Sequence, residues 1–228
     1  MTRLTRADLI DWADKRSAEG LLPELIRRLI VASNRTVETI IMPYGDSVGR
    51  SGLDGFVRAT TASSYIAEGE SVWEFGRNKG HVAKANSDFK KRTSATAESR
   101  QNALTYYCVT PRHWEKKGEW EKDPGPDEGK VVGHWKKVRV YDVDDILGWL
   151  SDCPGVEAWF SRQLGKATAG LRDVDGYWEN VATVENGVIN PQALLAGREE
   201  LTQRVQSYFA DDAENAKPPA TSTRSPAD

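Results

Sequence analysis

The chain is short of several residue types, and each shortage narrows its class. Its 228 residues include two cysteines, three histidines and two methionines. Two cysteines cannot staple a disulfide scaffold. Cys108 lies inside an apolar stretch and Cys153 stands beside Pro154, so two separate buried thiols are expected. None of His81, His113 and His134 has metal-ligand spacing with either cysteine, which leaves no case for a zinc site. No apolar run nears the roughly 18 residues needed to span a bilayer, and Met1-Thr-Arg-Leu-Thr-Arg-Ala-Asp lacks the apolar core of a secretory signal. No membrane partner and a cytoplasmic location are therefore expected. A large net charge is missing too: 31 Lys and Arg stand against 34 Asp and Glu, a formal −3. That excludes a polycation coating nucleic acid indiscriminately but permits a local basic surface. No Walker-type glycine loop is present. Gly49, Gly52 and Gly55 lack the strand-then-helix setting and read as turn glycines.

What is present suits one full-sized core with an appendage: 39% hydrophobic and 29% charged residues. Residues 5–16 carry Leu9, Ile10 and Trp12 at helical spacing behind Thr5 as N-cap. A helix over 21–33 has Pro23 in its first turn and a broad apolar face from Leu22, Leu25, Ile26, Leu29 and Ile30. Strands are expected at 36–42, 53–60 and 70–76, then a helix at 80–93. A buried strand at 103–109, a short helix at 112–121, an irregular loop at 123–130 and a strand at 137–141 follow. Helices at 143–151 and 154–164 close the domain. Antiparallel strands feeding a crossover helix imply a mixed α/β sheet with helices on both faces. Trp114, Trp120, Trp135, Trp149 and Trp159 read as core and helix-packing residues. Beyond Gly165 the texture turns small and polar. Short amphipathic pieces at 176–184 and 192–210 make 166–210 a helical extension, and 211–228 has the composition of a disordered tail.

Two stretches carry the chemistry: Ser51-Gly-Leu-Asp-Gly-Phe-Val57 and Ser71-Val-Trp-Glu-Phe-Gly-Arg-Asn-Lys79. Each puts one acid, Asp54 or Glu74, in apolar company, where an unpaired charge is costly. The acids can be satisfied separately, Asp54 as a hairpin-turn Asp-Gly and Glu74 pointing outward. Alternatively, they meet at the sheet's edge and hold something positive. Converging carboxylates repel, and oxygen-only ligation suits Mg²⁺ (or Mn²⁺), which leaves room for a phosphate oxygen. Such an ion polarises phosphorus and acidifies a water, and a nearby lysine stabilises the developing charge. Residues 77–92 supply Arg77, Lys79, Lys84, Lys90, Lys91 and Arg92 against a single Asp88, a candidate surface for a nucleic-acid backbone.

The order of helix with Glu24, strand, strand with Asp54, strand with Glu74, basic helix, strand resembles the PD-(D/E)xK (restriction-endonuclease-like) nuclease superfamily. GLDG, SVWEFG, then NK, KA, DF and KR are similar to the nuclease-type domain at the N-terminus of large bacterial anti-phage defence proteins, over residues 20–165. The resemblance implies Asp54 and Glu74 as metal-binding acids, Glu24 as an accessory acid, Mg²⁺ as cofactor and double-stranded DNA as substrate. It further implies a homo-oligomer, since many such nucleases pair two sites to cut both strands. One position departs from the pattern. The lysine expected two residues after the second acid is replaced by Gly76, and Lys84, then Lys79, are the candidates to supply it from the next helix. With neither in reach, the alternative is a catalytically inactive nuclease-fold module for nucleic-acid or partner-protein binding and oligomerisation. Tyr177-Trp-Glu and Leu194-Leu-Ala-Gly-Arg-Glu-Glu200 resemble the connector leading into a P-loop NTPase, which implies such a module as a partner or as a C-terminal continuation.

Overall fold

Thr5 opens the first helix, α1 (Arg6–Ala13), with a capping box: its hydroxyl accepts the Asp8 amide, and the Asp8 carboxylate accepts the Thr5 amide at 2.8 Å. The computed structural model describes residues 3–43, 54–125, 132–166, 183–184, 187–188 and 196–210. The chain forms two compact units, Met1–Asp173 and Val174–Asp228. Helix α2 (Ala18–Ser33) starts a turn earlier than expected, so Pro23 lies within it rather than in its first turn. Burial of Ala18 and Leu22 at the helix start offsets the one backbone bond that proline removes.

Five strands follow: β1 (Val37–Ile41), β2 (Gly55–Ala59), β3 (Gly69–Phe75), β4 (Leu104–Val109) and β5 (Lys137–Tyr141). They lie side by side in chain order; β1–β2 and β2–β3 are antiparallel, β3–β4 and β4–β5 parallel. The fold is thus mixed α/β with helices on both faces. Helices α3 (His81–Ala95) and α4 (Glu98–Gln101) connect β3 to β4, and α5 (Lys117–Lys122) lies between β4 and β5. After β5 come α6 (Val143–Asp152) and α7 (Pro154–Gln163). Helix α5 is shorter than the expected 112–121 because tertiary partners claim its start. The Arg112 guanidinium donates to the Arg77 and Ile10 carbonyls, and the Trp114 amide donates to Asp142 at 3.1 Å.

Alternation along the strands divides the core. On one face Val57, Trp73, Tyr107, Val109 and Tyr141 pack with Leu9, Trp12, Leu25, Leu29, Ile146 and Phe160 from α1, α2, α6 and α7. On the other, Val72, Tyr106, Cys108 and Val140 pack with Ala85 and Phe89 of α3, Trp120 of α5, and Trp114 and Trp135. All five tryptophans expected in the core are buried, and both cysteines are free and buried.

In the second unit, β6 (Thr183–Val184) pairs antiparallel with β7 (Gly187–Val188), and α8 spans Glu199–Ala210. The piece expected at 176–184 therefore ends in a strand, and the extension is not wholly helical. Residues 176–182, 211–228, Gly49 and Gly52 lie outside the described residues. No described helix is long and apolar enough to cross a membrane.

Candidate active site at the β2–β3 junction

Gly55 sits opposite Trp73 across the β2–β3 ladder. A Cβ there would stand 2.9 Å from the Trp73 Cβ and 3.1 Å from the Met42 Cγ. Gly55 is therefore a strand glycine set by close approach, not a turn glycine. The tight contact brings Asp54, one residue before Gly55, to Glu74, one residue after Trp73. Asp54 Oδ2 accepts the Phe75 amide at 3.2 Å, and the two carboxyls lie within hydrogen-bond reach of each other. They meet at strand ends in the middle of the sheet rather than at its edge, because β3 is the central strand. Glu74 is only 6% exposed. Burial first, then the charge of Asp54, pushes its pKa up to about 8, against the pull of Arg92, whose Nε donates to Glu74 Oε1 at 2.5 Å.

Helix α3 delivers the cations by its periodicity. It buries Ala85, Phe89 and Thr93 against the sheet, so the stripe one residue earlier, Lys84, Asp88 and Arg92, flanks that contact. Arg92 reaches Glu74, and Lys84 forms an ion pair with Asp88. A Cβ built on Gly76 would meet Lys84 Cγ at 3.5 Å. The Lys84 stem thus runs over the position where the nuclease pattern carries its lysine. Cys108 faces Glu74 across the β3–β4 ladder. Its thiol pKa is pushed up to about 12, by burial first and then by Asp88 and Glu74, with Lys84 opposing.

The other candidates lie elsewhere. Glu24 does not join the pair: α2 covers the opposite face, where the Glu24 carboxylate takes Arg28 at 2.9 Å and Arg28 stacks 4.2 Å over Trp159 of α7. Lys79 is 82% exposed and stands 3.8 Å from Asp14. Arg77 donates to the Ala13 carbonyl at 3.3 Å and to Glu19 at 3.4 Å, which ties the β3–α3 loop to the first two helices. The basic run consequently forms no single face. Arg77, Lys79, Lys84 and Arg92 all pair within the protein, and Lys90 and Lys91 are the exposed cations of α3.

Sequence reading missed Asp88 and the Arg92–Glu74 pair, although the i, i+4, i+8 spacing of Lys84, Asp88 and Arg92 carried the signal. It also missed a second cluster, where ligand atoms of His113, Asp142 and Asp144 lie within 4.8 Å of one another. Those acids already have partners. Asp142 caps α6 and takes Lys117 at 2.8 Å, and Asp144 takes Arg6 at 2.7 Å. No family model matches the sequence, and neither does any curated protein or solved structure.

Proposed function

We propose that the chain is a metal-dependent endonuclease with a restriction-endonuclease-like fold, hydrolysing DNA phosphodiester bonds as an effector in anti-phage defence. The observation that carries this reading is the convergence of Asp54 and Glu74 on one end of the central strand, with the Lys84 stem over Gly76. Burial first, and the neighbouring Asp54 second, outweigh the Arg92 guanidinium and push the Glu74 pKa up to about 8. An all-oxygen pair is the donor set that a hard divalent cation takes, so the residues fit Mg²⁺ or Mn²⁺. Bound by Asp54 and Glu74, such an ion supplies Lewis-acid polarisation and a more acidic water. Water adds to phosphorus, the bond to one ester oxygen breaks, and that oxygen leaves with a proton. Lys84 offsets the charge growing on the phosphate oxygens. On this reading the substrate is duplex DNA, cutting both strands calls for two copies of the chain, and a P-loop NTPase is the partner module.

One observation favours a second reading. Arg92 already occupies Glu74, as it would in an inactive module that binds nucleic acid or a partner protein. The test is a plasmid-cleavage assay with Mg²⁺ or Mn²⁺, run beside Mn²⁺ titration by electron paramagnetic resonance. Cleavage and Mn²⁺ uptake by the parent, both lost in folded Asp54→Ala and Glu74→Ala, are expected. Cutting by both variants overturns the site. A folded parent that takes up no Mn²⁺ but still binds DNA selects the module.

A further inference from the structure

We propose that Asp88 is the positioning residue of this site, holding Lys84 across Gly76 and beside the Asp54–Glu74 pair; the proposal rests on the nuclease reading above. Lys84 precedes Asp88 by one helical turn, and the Asp88 side chain is the more covered, 16% exposed against 39%. On an open helix such a pair contributes little. Three features set this one apart. Among the described residues, and chain neighbours apart, Lys84 Cγ alone lies within 4 Å of a Cβ built at Gly76, at 3.5 Å, so the lysine stem runs in van der Waals reach of that position. Glu74 and position 76 fall on the same side of the chain by strand alternation, so the Lys84 stem 3.5 Å from a Cβ at Gly76 lies on the side of the sheet that carries the Glu74 carboxyl. Arg92, one turn further along the same stripe, anchors on Glu74 and pins that side of α3 against the strand end.

A lysine stem is flexible, and its ammonium is strongly drawn to water. Left alone, a 39%-exposed Lys84 would spend its time in solvent rather than at a phosphate. The Asp88 carboxylate removes that freedom without needing to touch the substrate, so it acts through Lys84. The geometry has a second consequence. Gly76 is not among the positive-φ glycines, and a Cβ there would make only an ordinary 3.5 Å contact with Lys84 Cγ among the described residues, so a side chain can start at 76 without backbone strain.

The experiment compares plasmid nicking in Mn²⁺ by the full chain and by D54A, K84A, D88N, D88E, K84A/D88N and G76K/K84A. We expect D88N to lower kcat by about ten- to a hundredfold, the scale of a mispositioned catalytic group, with KM for DNA unchanged. D88E, which keeps the ion pair, should recover most of the rate. D88N should add nothing in the K84A background, since both changes remove one ammonium from the same place. G76K/K84A should cut faster than K84A. A merely structural Asp88 would instead give losses that follow thermal stability and add to those of K84A. D88N cutting at the parent rate, or costing as much with K84A as without it, overturns the proposal. If D88N does not fold, Asp88→Ser takes its place in the same comparison. Parent activity lost in D54A but kept in D88N sinks the positioning role alone. A parent that leaves plasmid intact, or a D54A that cuts equally well, sinks the nuclease reading and this proposal with it.

Discussion

Two acids in this molecule are almost equally hidden, Asp142 at 2% and Glu74 at 6% exposure, yet they are treated in opposite ways. Asp142 accepts the amides of Trp114, Asp144 and Asp145 at 3.1, 3.1 and 3.3 Å and the Lys117 ammonium at 2.8 Å. Burial works to raise its pKa, but Lys117 and the amides outweigh it, and the value ends below the usual carboxylate range. Asp145 shares Lys117 at 2.5 Å, and burial pushes its own pKa up. Glu74 has one guanidinium and a second carboxyl for company, and its pKa rises to about 8. Asp142, which caps α6, is supplied with donors on both oxygens. Glu74 is buried beside a second carboxyl, the environment in which functional acids recur, and that is the contrast the proposed site rests on.

The largest way to break this comparison is to remove the saturated acid. Asp142→Ala deletes the α6 cap and strands the Trp114 amide, leaving Lys117 with Asp145 alone. We expect a loss of about 2–4 kcal/mol, a cap plus an unsatisfied buried donor, read by urea denaturation. A loss under about 1 kcal/mol would mean water replaces the carboxylate and that saturation says nothing about role.

A smaller effect with a sharper signature comes from pH. The folded pKa of Glu74 lies above its ordinary value, so its favourable contribution is fully present below pH 4.5 and lost as pH rises through about 8. Across that window the parent should lose stability with increasing pH, with a slope approaching about 1.4 kcal/mol per unit for one proton. Glu74→Gln should flatten the slope. Asp142 runs the other way: its lowered pKa gives stability present above pH 3.8 and lost as pH falls through the folded value. Denaturation midpoints at pH 5, 6, 7 and 8 check the sign, and an unchanged slope in Glu74→Gln shows that Glu74 is not the group responsible.

Which of these features the sequence could announce follows from how local they are. Thr5 and Asp8 announce their cap because three residues suffice. The strand Lys137–Tyr141 has the bounds its alternation predicts. Asp54 and Glu74 were legible as a pair because two consecutive antiparallel strands leave little choice of register. Gly55 was not, since its need for no side chain depends on the Trp73 Cβ and Met42 pressing in from elsewhere. Glu24 misled for a similar reason: an acid on a helix carries no label for the face of the sheet that the helix will cover. Asp88 and Arg92 were hidden by counting charge along 77–92 rather than placing it on a helix surface, where every fourth residue falls in line.

The smallest expected effect probes the other end of the comparison. Arg6 holds Asp144 through two bonds, Nε at 2.9 Å and Nη2 at 2.8 Å to separate oxygens, but the pair is 52% and 38% exposed. Water screens such a pair, and ordering two side chains consumes much of the gain. Asp144 also keeps its place in the first turn of α6, where the helix dipole favours an acid, and keeps His113 at 3.1 Å. Arg6→Ala should therefore cost under about 0.5 kcal/mol, shrinking further in high salt, and should leave the His113, Asp142 and Asp144 corner unable to take up Mn²⁺, because Lys117 and the α6 amides still fill Asp142. Mn²⁺ uptake by Arg6→Ala that Asp144→Asn removes would show this corner taking a cation as the Asp54–Glu74 pair is proposed to. The contrast between frame acid and site acid would then fail at its most exposed point.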